Sequence, residues 1–338
     1  MKFKTLSLLI WAVLATAQIF GQGPRLPQLI ELNPGDSSVI QVVGGASKRL
    51  TLRSVKEHVE PYFQSSTKSA VDAVVKVEMS IDVDGVTKTV EGGPFHMPTE
   101  VNGLAILLSS SKGLSGGIRP DPVNKAVRLE VADSVNAWTE PWRLTYPIRN
   151  YRWHAMNYQH TYLGVVKQVP GPPGDGASNA VILQNDAGFD VRYAHMNTPY
   201  IFVRLQPGVS LTSGAPLGLT GNTWQGKPVR DPHLHWNLSD TASGTIRNTF
   251  PMAVEAFRHS FPGEPLPIAG GWRHLYAGES LTLDGSLSLP GKGRTLRTFE
   301  WAFTDGAKAD GKTATRAYST PGTYSETLKV TDDSGQSD

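Results

Sequence analysis

The sequence predicts an all-β protein built from successive antiparallel units, and three observations predict it. Apolar residues recur in short runs of period two, as in VVKVEMSIDVDG (74–85) and KAVRLEVAD (125–133), which is the spacing of a strand with one face buried. The 34 glycines and 24 prolines fall between such runs, where turns need them. Helical periodicity is scarce, and one short stretch, Pro251 to Phe257, carries it. A chain of 338 residues is long enough for two or three domains.

The elements follow in chain order. Lys2 and Lys4 precede an uncharged apolar stretch from Leu6 to Ala17 that ends in Ala15-Thr16-Ala17, the pattern of a cleaved secretory signal over residues 1–17. That stretch is shorter than the roughly 20 residues a bilayer span needs. The expectation is a secreted, extracellular or periplasmic protein with no membrane span after signal cleavage. No cysteine is present, so core packing alone must hold an exported chain together. This suits a bacterial envelope protein. Thirty-two Lys and Arg against 30 Asp and Glu leave a formal charge of +2 with no long basic run, which argues against nucleic acid as a partner. The oligomeric state is not readable.

Residues 18–147 form the N-terminal β domain, a β-sandwich in expectation, after a lead marked by Pro24, Pro27 and Pro34. Asp84-Gly85 before Val86-Thr87-Lys88-Thr89-Val90 predicts a hairpin with a type I′ turn. His58 and His96 read as solvated or hydrogen-bonded loop residues. Residues 148–262 form a second β unit, richer in aromatics and histidines: a Pro-Gly loop (170–176), the run AVILQ (180–184), a turn at Asn185 to Gly188, and FDVRYAHM (189–196). Pro262, Pro265 and Pro267 mark a linker over 263–272.

The last segment, 273–338, carries Trp301, Phe303, Asp305 and Gly306 at one strand end, then Tyr318, Pro321-Gly322-Thr323-Tyr324, and Val330-Thr331-Asp332. These positions resemble the polycystic-kidney-disease (PKD) repeat. The resemblance implies an immunoglobulin-like sandwich used as a spacer or adhesion module. Trp301 and Phe303 alternate on one strand face and are core, and Asp305-Gly306 serve a turn. Compared with the family pattern the segment stops short of a last strand, so truncation of the domain is expected.

Chemistry concentrates in DPHLHWNL (231–238). On a strand His233 and His235 share one face, their imidazoles about 7 Å apart, while Leu234 and Trp236 take the other. The same parity groups Val191, Tyr193 and His195, so a third imidazole can join them if the two strands are neighbours. A His-x-His alone is a weak signal. Residues 180–238 as a whole, however, resemble the lysostaphin-like zinc endopeptidases: Tyr193-Ala194-His195-Met196, then LQPGVSLTSGAPLGLTGNT (205–223) with Gly208, Gly214, Gly218 and Gly221, then Asp231-Pro232-His233-Leu234-His235. The resemblance implies a lysostaphin-like antiparallel β-sheet peptidase domain in which His235 is a zinc ligand. It makes His195 and His233 the catalytic pair that orients or deprotonates the zinc-bound water and stabilises the oxyanion. The metal lowers the water's pKa and polarises the scissile carbonyl. The substrate class it implies is peptidoglycan, at its peptide cross-bridges, or another extracellular peptide.

The chain departs from that family upstream. Its members supply two further ligands from a His-x-x-x-Asp segment, whereas here Gly164 stands four places after His160 and Tyr158 four places after His154. Thr161 to Val166 runs almost directly into the Pro-Gly loop, so an internal deletion is expected near Val166 and Lys167. His160 or His154 are the available substitute ligands, with Asp175 or Asp190 as a third, though no spacing supports them. A catalytic zinc uses three protein ligands and a water, so weak or absent zinc binding is expected. Three readings stay open: a metallopeptidase, a peptidase-like binding or scaffold module, and a carbohydrate-binding or adhesion protein, which would rest on the sandwiches and on exposed aromatics, although Trp138, Trp142 and Trp224 read better as core or turn packing.

Overall fold

The computed structural model describes residues 27–64, 69–115, 122–133, 135–138, 158–160, 164–168, 180–184, 188–194, 206–211, 216–219, 223–224, 227–228, 235–270, 273 and 275–338. Residues 1–17, His154, His195, His233, Asp175 and Trp142 lie outside them. The described elements are mostly antiparallel strands, as expected.

The N-terminal unit is a sandwich of two four-stranded sheets. One holds β1 (Gln28–Leu32), β8 (Val127–Ala132), β7 (Leu104–Ser111) and β6 (Thr99–Val101), in that order. The other runs β2 (Ser37–Gln41), β3 (Ser47–Gln64), β4 (Ser69–Val83), β5 (Val86–Gly92). Between them Ile40, Leu50, Met79 and Ile81 of the second sheet meet Leu32, Ile106, Leu129 and Val131 of the first in one buried cluster. The β4–β5 turn has the expected geometry. Asp84 and Gly85 take φ of 48° and 86°, both in the left-handed region a type I′ turn requires. His58 stands on β3, with Nε2 3.0 Å from Glu78 Oε1, rather than in a loop. His96 is a buried loop residue whose Nδ1 lies 2.9 Å from the Pro94 carbonyl.

Alternation in β7 and β8 does not mean a wet face. All six residues of β8 are buried, including Arg128 and Glu130, and β7 is buried almost throughout. The reason is a second layer. Leu104, Ile106 and Leu108 point into the N-terminal sandwich, whereas Ala105 and Leu107 belong to a different cluster with Val181, Leu183, Phe189, Val191, Tyr193 and Leu238. That cluster is the core of the central unit. Trp138, fully buried, completes it and is core, as its sequence reading favoured.

The central unit is a five-stranded sheet in the order β13 (Ser210–Leu211), β10 (Gly164–Gln168), β11 (Val181–Gln184), β12 (Phe189–Ala194), β17 (His235–Asp240). Two small pairs stand apart from it: β9 (Tyr158–His160) with β14 (Pro216–Leu219), and β15 (Thr223–Trp224) with β16 (Lys227–Pro228). One short helix, α1 (Lys112–Ser115), follows β7, and α2 (Phe250–Ser260) follows β17. The expected helix over 251–257 thus extends by one residue before and three after. Pro251 sits in its first turn, where a missing N–H costs nothing. Met252 of α2 joins the central core. Val254 and Phe257 instead pack with Leu266 and Ile268, with Met97 from the N-terminal unit and with Leu287 and Leu289 from the C-terminal one.

The C-terminal unit pairs β18 (Ser280–Asp284) with β21 (Thr313–Ala317), against a sheet of β20 (Lys308–Asp310), β19 (Leu296–Phe303) and β22 (Glu326–Asp332). Trp301 and Phe303 are core, 1% and 6% exposed, beside Phe299, Leu328 and Val330. Trp301 Nε1 donates to the Gly311 carbonyl at 3.0 Å, so the indole is buried with its one donor satisfied. Asp305-Gly306 make the expected turn: Gly306 has φ 84°, and Asp305 Oδ1 accepts from the Ala307 N–H. Within the stretch expected to be a linker, Leu266 is bridged to Leu289, and the Ile268 N–H donates to Ser288 Oγ. No helix among the described residues is long and apolar enough to cross a membrane.

Candidate functional site

The condition set by the sequence for a shared histidine site is that the strands carrying Tyr193-Ala194 and His235 be neighbours. They are. β12 and β17 pair antiparallel with Val191 opposite Leu238, Tyr193 opposite Trp236 and Ala194 opposite His235. Directly opposed residues share a sheet face, so position 235 belongs to the set that includes Ala194, Arg192 and Asn237. The other set, Val191, Tyr193 and Leu238, is buried in the core shared with the N-terminal sheet, with Trp236 packed against it. Trp236 thus takes the side away from position 235, as the period of two requires.

The same ladder corrects one step of the sequence argument. Val191 and Tyr193 were grouped with the histidine pair by parity, yet they lie on the core side of the sheet and position 235 on the other. His195 and His233 lie just beyond the described ends of β12 and β17.

Of the substitute ligands, His160 and Asp190 fall among the described residues. His160 is on β9, which pairs with β14 and not with the five-stranded sheet; it stands opposite Pro216. Asp190 is on β12 but opposite Ser239, four strand residues from the Ala194–His235 rung, or roughly 13 Å at strand rise. Its carboxylate accepts from Thr241 Oγ1 at 3.0 Å. Asp190 is therefore at the wrong end of the ladder to share a metal with position 235. Among the described residues no three of His, Cys, Asp and Glu come together as a metal cluster. His154, Asp175, His195 and His233 lie outside those residues. A catalytic zinc needs three protein ligands.

One polar constellation escaped the sequence reading. The Glu130 carboxylate, 1% exposed, accepts from Trp138 Nε1 at 3.0 Å on Oε2 and from the Asn248 N–H at 2.8 Å on Oε1. Asn248 Nδ2 in turn donates to the Leu108 carbonyl at 3.1 Å. Arg247 Nη1 donates to the Pro27 carbonyl at 3.1 Å, and its guanidinium lies 5.2 Å above the Phe189 ring. Burial pushes the Glu130 carboxyl above its ordinary range; the Arg247 charge and the two donated hydrogen bonds oppose that shift. The unbroken run Leu104-Ala105-Ile106-Leu107-Leu108 was the available signal, since a strand buried on both faces loses its alternation.

The chain is similar to several solved structures. One is the lytM protein of Ruminococcus gnavus, at 19% identity and a TM-score of 0.27, covering 32% of this chain and 44% of that one. This chain thus spans less than half the length of that relative. Another is lysostaphin, at 15% identity and a TM-score of 0.25, covering 59% of this chain and 87% of that one. A third is a zinc containing peptidase from Vibrio cholerae, at 16% identity and a TM-score of 0.24, covering 60% of this chain and 56% of that one. At the C-terminal end the comparison is with a family model: residues 263–338 match the PKD domain. The match takes in Leu266 and Ile268 along with Leu289 and Ser288, to which they are bonded, so the whole C-terminal unit is similar to a PKD domain.

Proposed function

We propose that the chain is a secreted hydrolase of the lysostaphin-like metallopeptidase type, acting on peptide bonds of peptidoglycan or of another extracellular peptide. The observation that carries the reading is the pairing of β12 with β17, which sets Tyr193-Ala194 beside the strand that His235 opens. In sequence His195 directly follows β12, and His233-Leu234 directly precede His235, the first residue of β17. In this reading His235 is a metal ligand and His195 and His233 move the proton and stabilise the oxyanion. Zinc, if bound, supplies the Lewis acid and the activated water.

The lack of a His-x-x-x-Asp segment at His154 or His160 motivates a second reading, a peptidase-like module that binds wall peptides without cutting them. One experiment separates the two. The purified chain and its His233→Ala variant are run in a peptidoglycan zymogram, with metal analysis after dialysis in parallel. The peptidase reading expects clearing that His233→Ala abolishes. Retention on peptidoglycan with no clearing by either protein, and no retained zinc, sinks it in favour of the module.

A further inference from the structure

The PKD domain carries a groove that the peptidase reading does not use. One wall is a pair of tyrosines. The Tyr318 and Tyr324 rings stack with centroids 3.7 Å apart and planes 8° from parallel. Their hydroxyls are tied to the chain: Tyr318 Oη donates to Glu326 Oε1 at 2.9 Å, and Tyr324 Oη to the Thr320 carbonyl at 2.7 Å. Arg316 sits over the Tyr318 ring, 5.7 Å from its centroid. Leu275 and Tyr276, 44% and 80% exposed, line the groove as well, and Tyr276 is the most exposed large apolar side chain described. Together these residues bound an open groove of about 430 Å³, a size and lining suited to a small ligand.

The charges narrow the ligand class. Four ionisable side chains other than tyrosine line the groove, two cationic and two anionic, and all have partners within the chain. Arg316 is ion-paired with Asp305, and Arg273 with Glu60 at 3.0 Å. Glu326 accepts from Tyr318, and Glu279 accepts from the Tyr276 N–H at 2.9 Å. A charged ligand would have to displace one of them. What the groove offers instead is aromatic surface beside the exposed side chains of Thr320 and Thr323. A sugar ring matches that offer, because it presents an apolar C–H face and a rim of hydroxyls without charge. Tied tyrosines lose little entropy on binding, which favours a rigid ring over a flexible chain.

We propose that this groove binds a neutral oligosaccharide, with Tyr276 as the exposed aromatic contact and the Tyr318–Tyr324 stack as the fixed wall. The proposal does not rest on the peptidase reading. It is tested by calorimetric titration of the full chain with N-acetylglucosamine tetramer, with cellotetraose, and with a proline-rich decapeptide as the alternative ligand of an aromatic-lined groove. The expected result is binding of at least one of the two sugars with a Kd of ~0.1–1 mM, a range such shallow sites reach with a few kcal/mol. Tyr276→Ala, at an exposed position that leaves the core intact, weakens it about tenfold or more; Tyr276→Phe retains it, and so does His233→Ala. No heat with either sugar overturns the proposal. So does equal affinity in Tyr276→Ala, or binding of the peptide with both sugars inert.

Discussion

Glu130 shows what burial does to a single side chain in this protein. Both carboxylate oxygens accept hydrogen bonds from groups outside β8, one from the Trp138 indole and one from the Asn248 backbone. Water is excluded, and burial holds the carboxyl above its ordinary range despite Arg247. A carboxyl with a raised folded pKa keeps its proton in the folded state after the unfolded state has released one, so its contribution is fully present below the ordinary carboxylate range. It is lost as pH rises towards the folded value. Glu130→Gln removes this titration, but an amide has only one acceptor oxygen, so either the Trp138 or the Asn248 donor is left without a partner. The expected outcome is a loss of about 1–3 kcal/mol at acidic pH, with a gap to the wild type that narrows as pH rises above the ordinary carboxylate range. Urea unfolding of both proteins across pH 4 to 8 checks it; a gap that widens with pH contradicts the assignment.

At the scale of elements, what was legible in the sequence was local. Asp84-Gly85 specified its hairpin because only left-handed φ values close a two-residue turn with the right twist. Trp301 and Phe303 specified the core side of β19 because strand parity needs no partner to be read. The order of the five-stranded sheet, with β10 between β13 and β11, was not legible, since it depends on pairings between residues such as Val165 and Ser210 that are far apart in sequence. The candidate site was legible as a motif but not as a register: nothing in Tyr193-Ala194-His195 says that Ala194, not Tyr193, stands opposite His235. The stretch read as a deletion point is likewise a local irregularity in the ladder. Lys167 is passed over as the register shifts between Val166, opposite Leu183, and Gln168, opposite Ile182, the signature of a β-bulge. Helix α2 is the element on which the units converge. Phe257, 2% exposed, meets Phe261 at 5.0 Å and shares its cluster with Met97, Leu266, Leu287 and Leu289. Phe257→Ala should cost about 3–5 kcal/mol, as for a large ring removed from a core that cannot collapse. Chemical denaturation measures it, and a cost near zero would mean that the helix end is not held as described.

Across the whole molecule, the boundary expected near residue 147 divides the chain in sequence but not in its core. Ala105, Leu107, Ala132 and Trp138 from one side of that boundary are buried with Val181, Leu183, Tyr193 and Leu238 from the other. Leu107 is 1% exposed, and its rung in the ladder is Glu130, whose carboxylate accepts from Asn248 across the same junction. Apolar surface shared in this way cannot be exposed on one side and kept buried on the other. Opening the junction would uncover both faces and leave the Glu130 hydrogen bonds to be replaced by water. The N-terminal sandwich and the central sheet should then open as one cooperative unit, while the C-terminal core, which draws on none of these residues, responds separately. Leu107→Ala, at a cost of about 2–5 kcal/mol, should accelerate amide hydrogen exchange in β11 and β12 as well as in β7 and β8, and leave β19 and β22 unchanged. Leu328→Ala, in the C-terminal core, should do the reverse. If Leu107→Ala affects only β7 and β8, the two units are independent domains in contact, and the sheet that carries His235 does not need the N-terminal sandwich to stay folded.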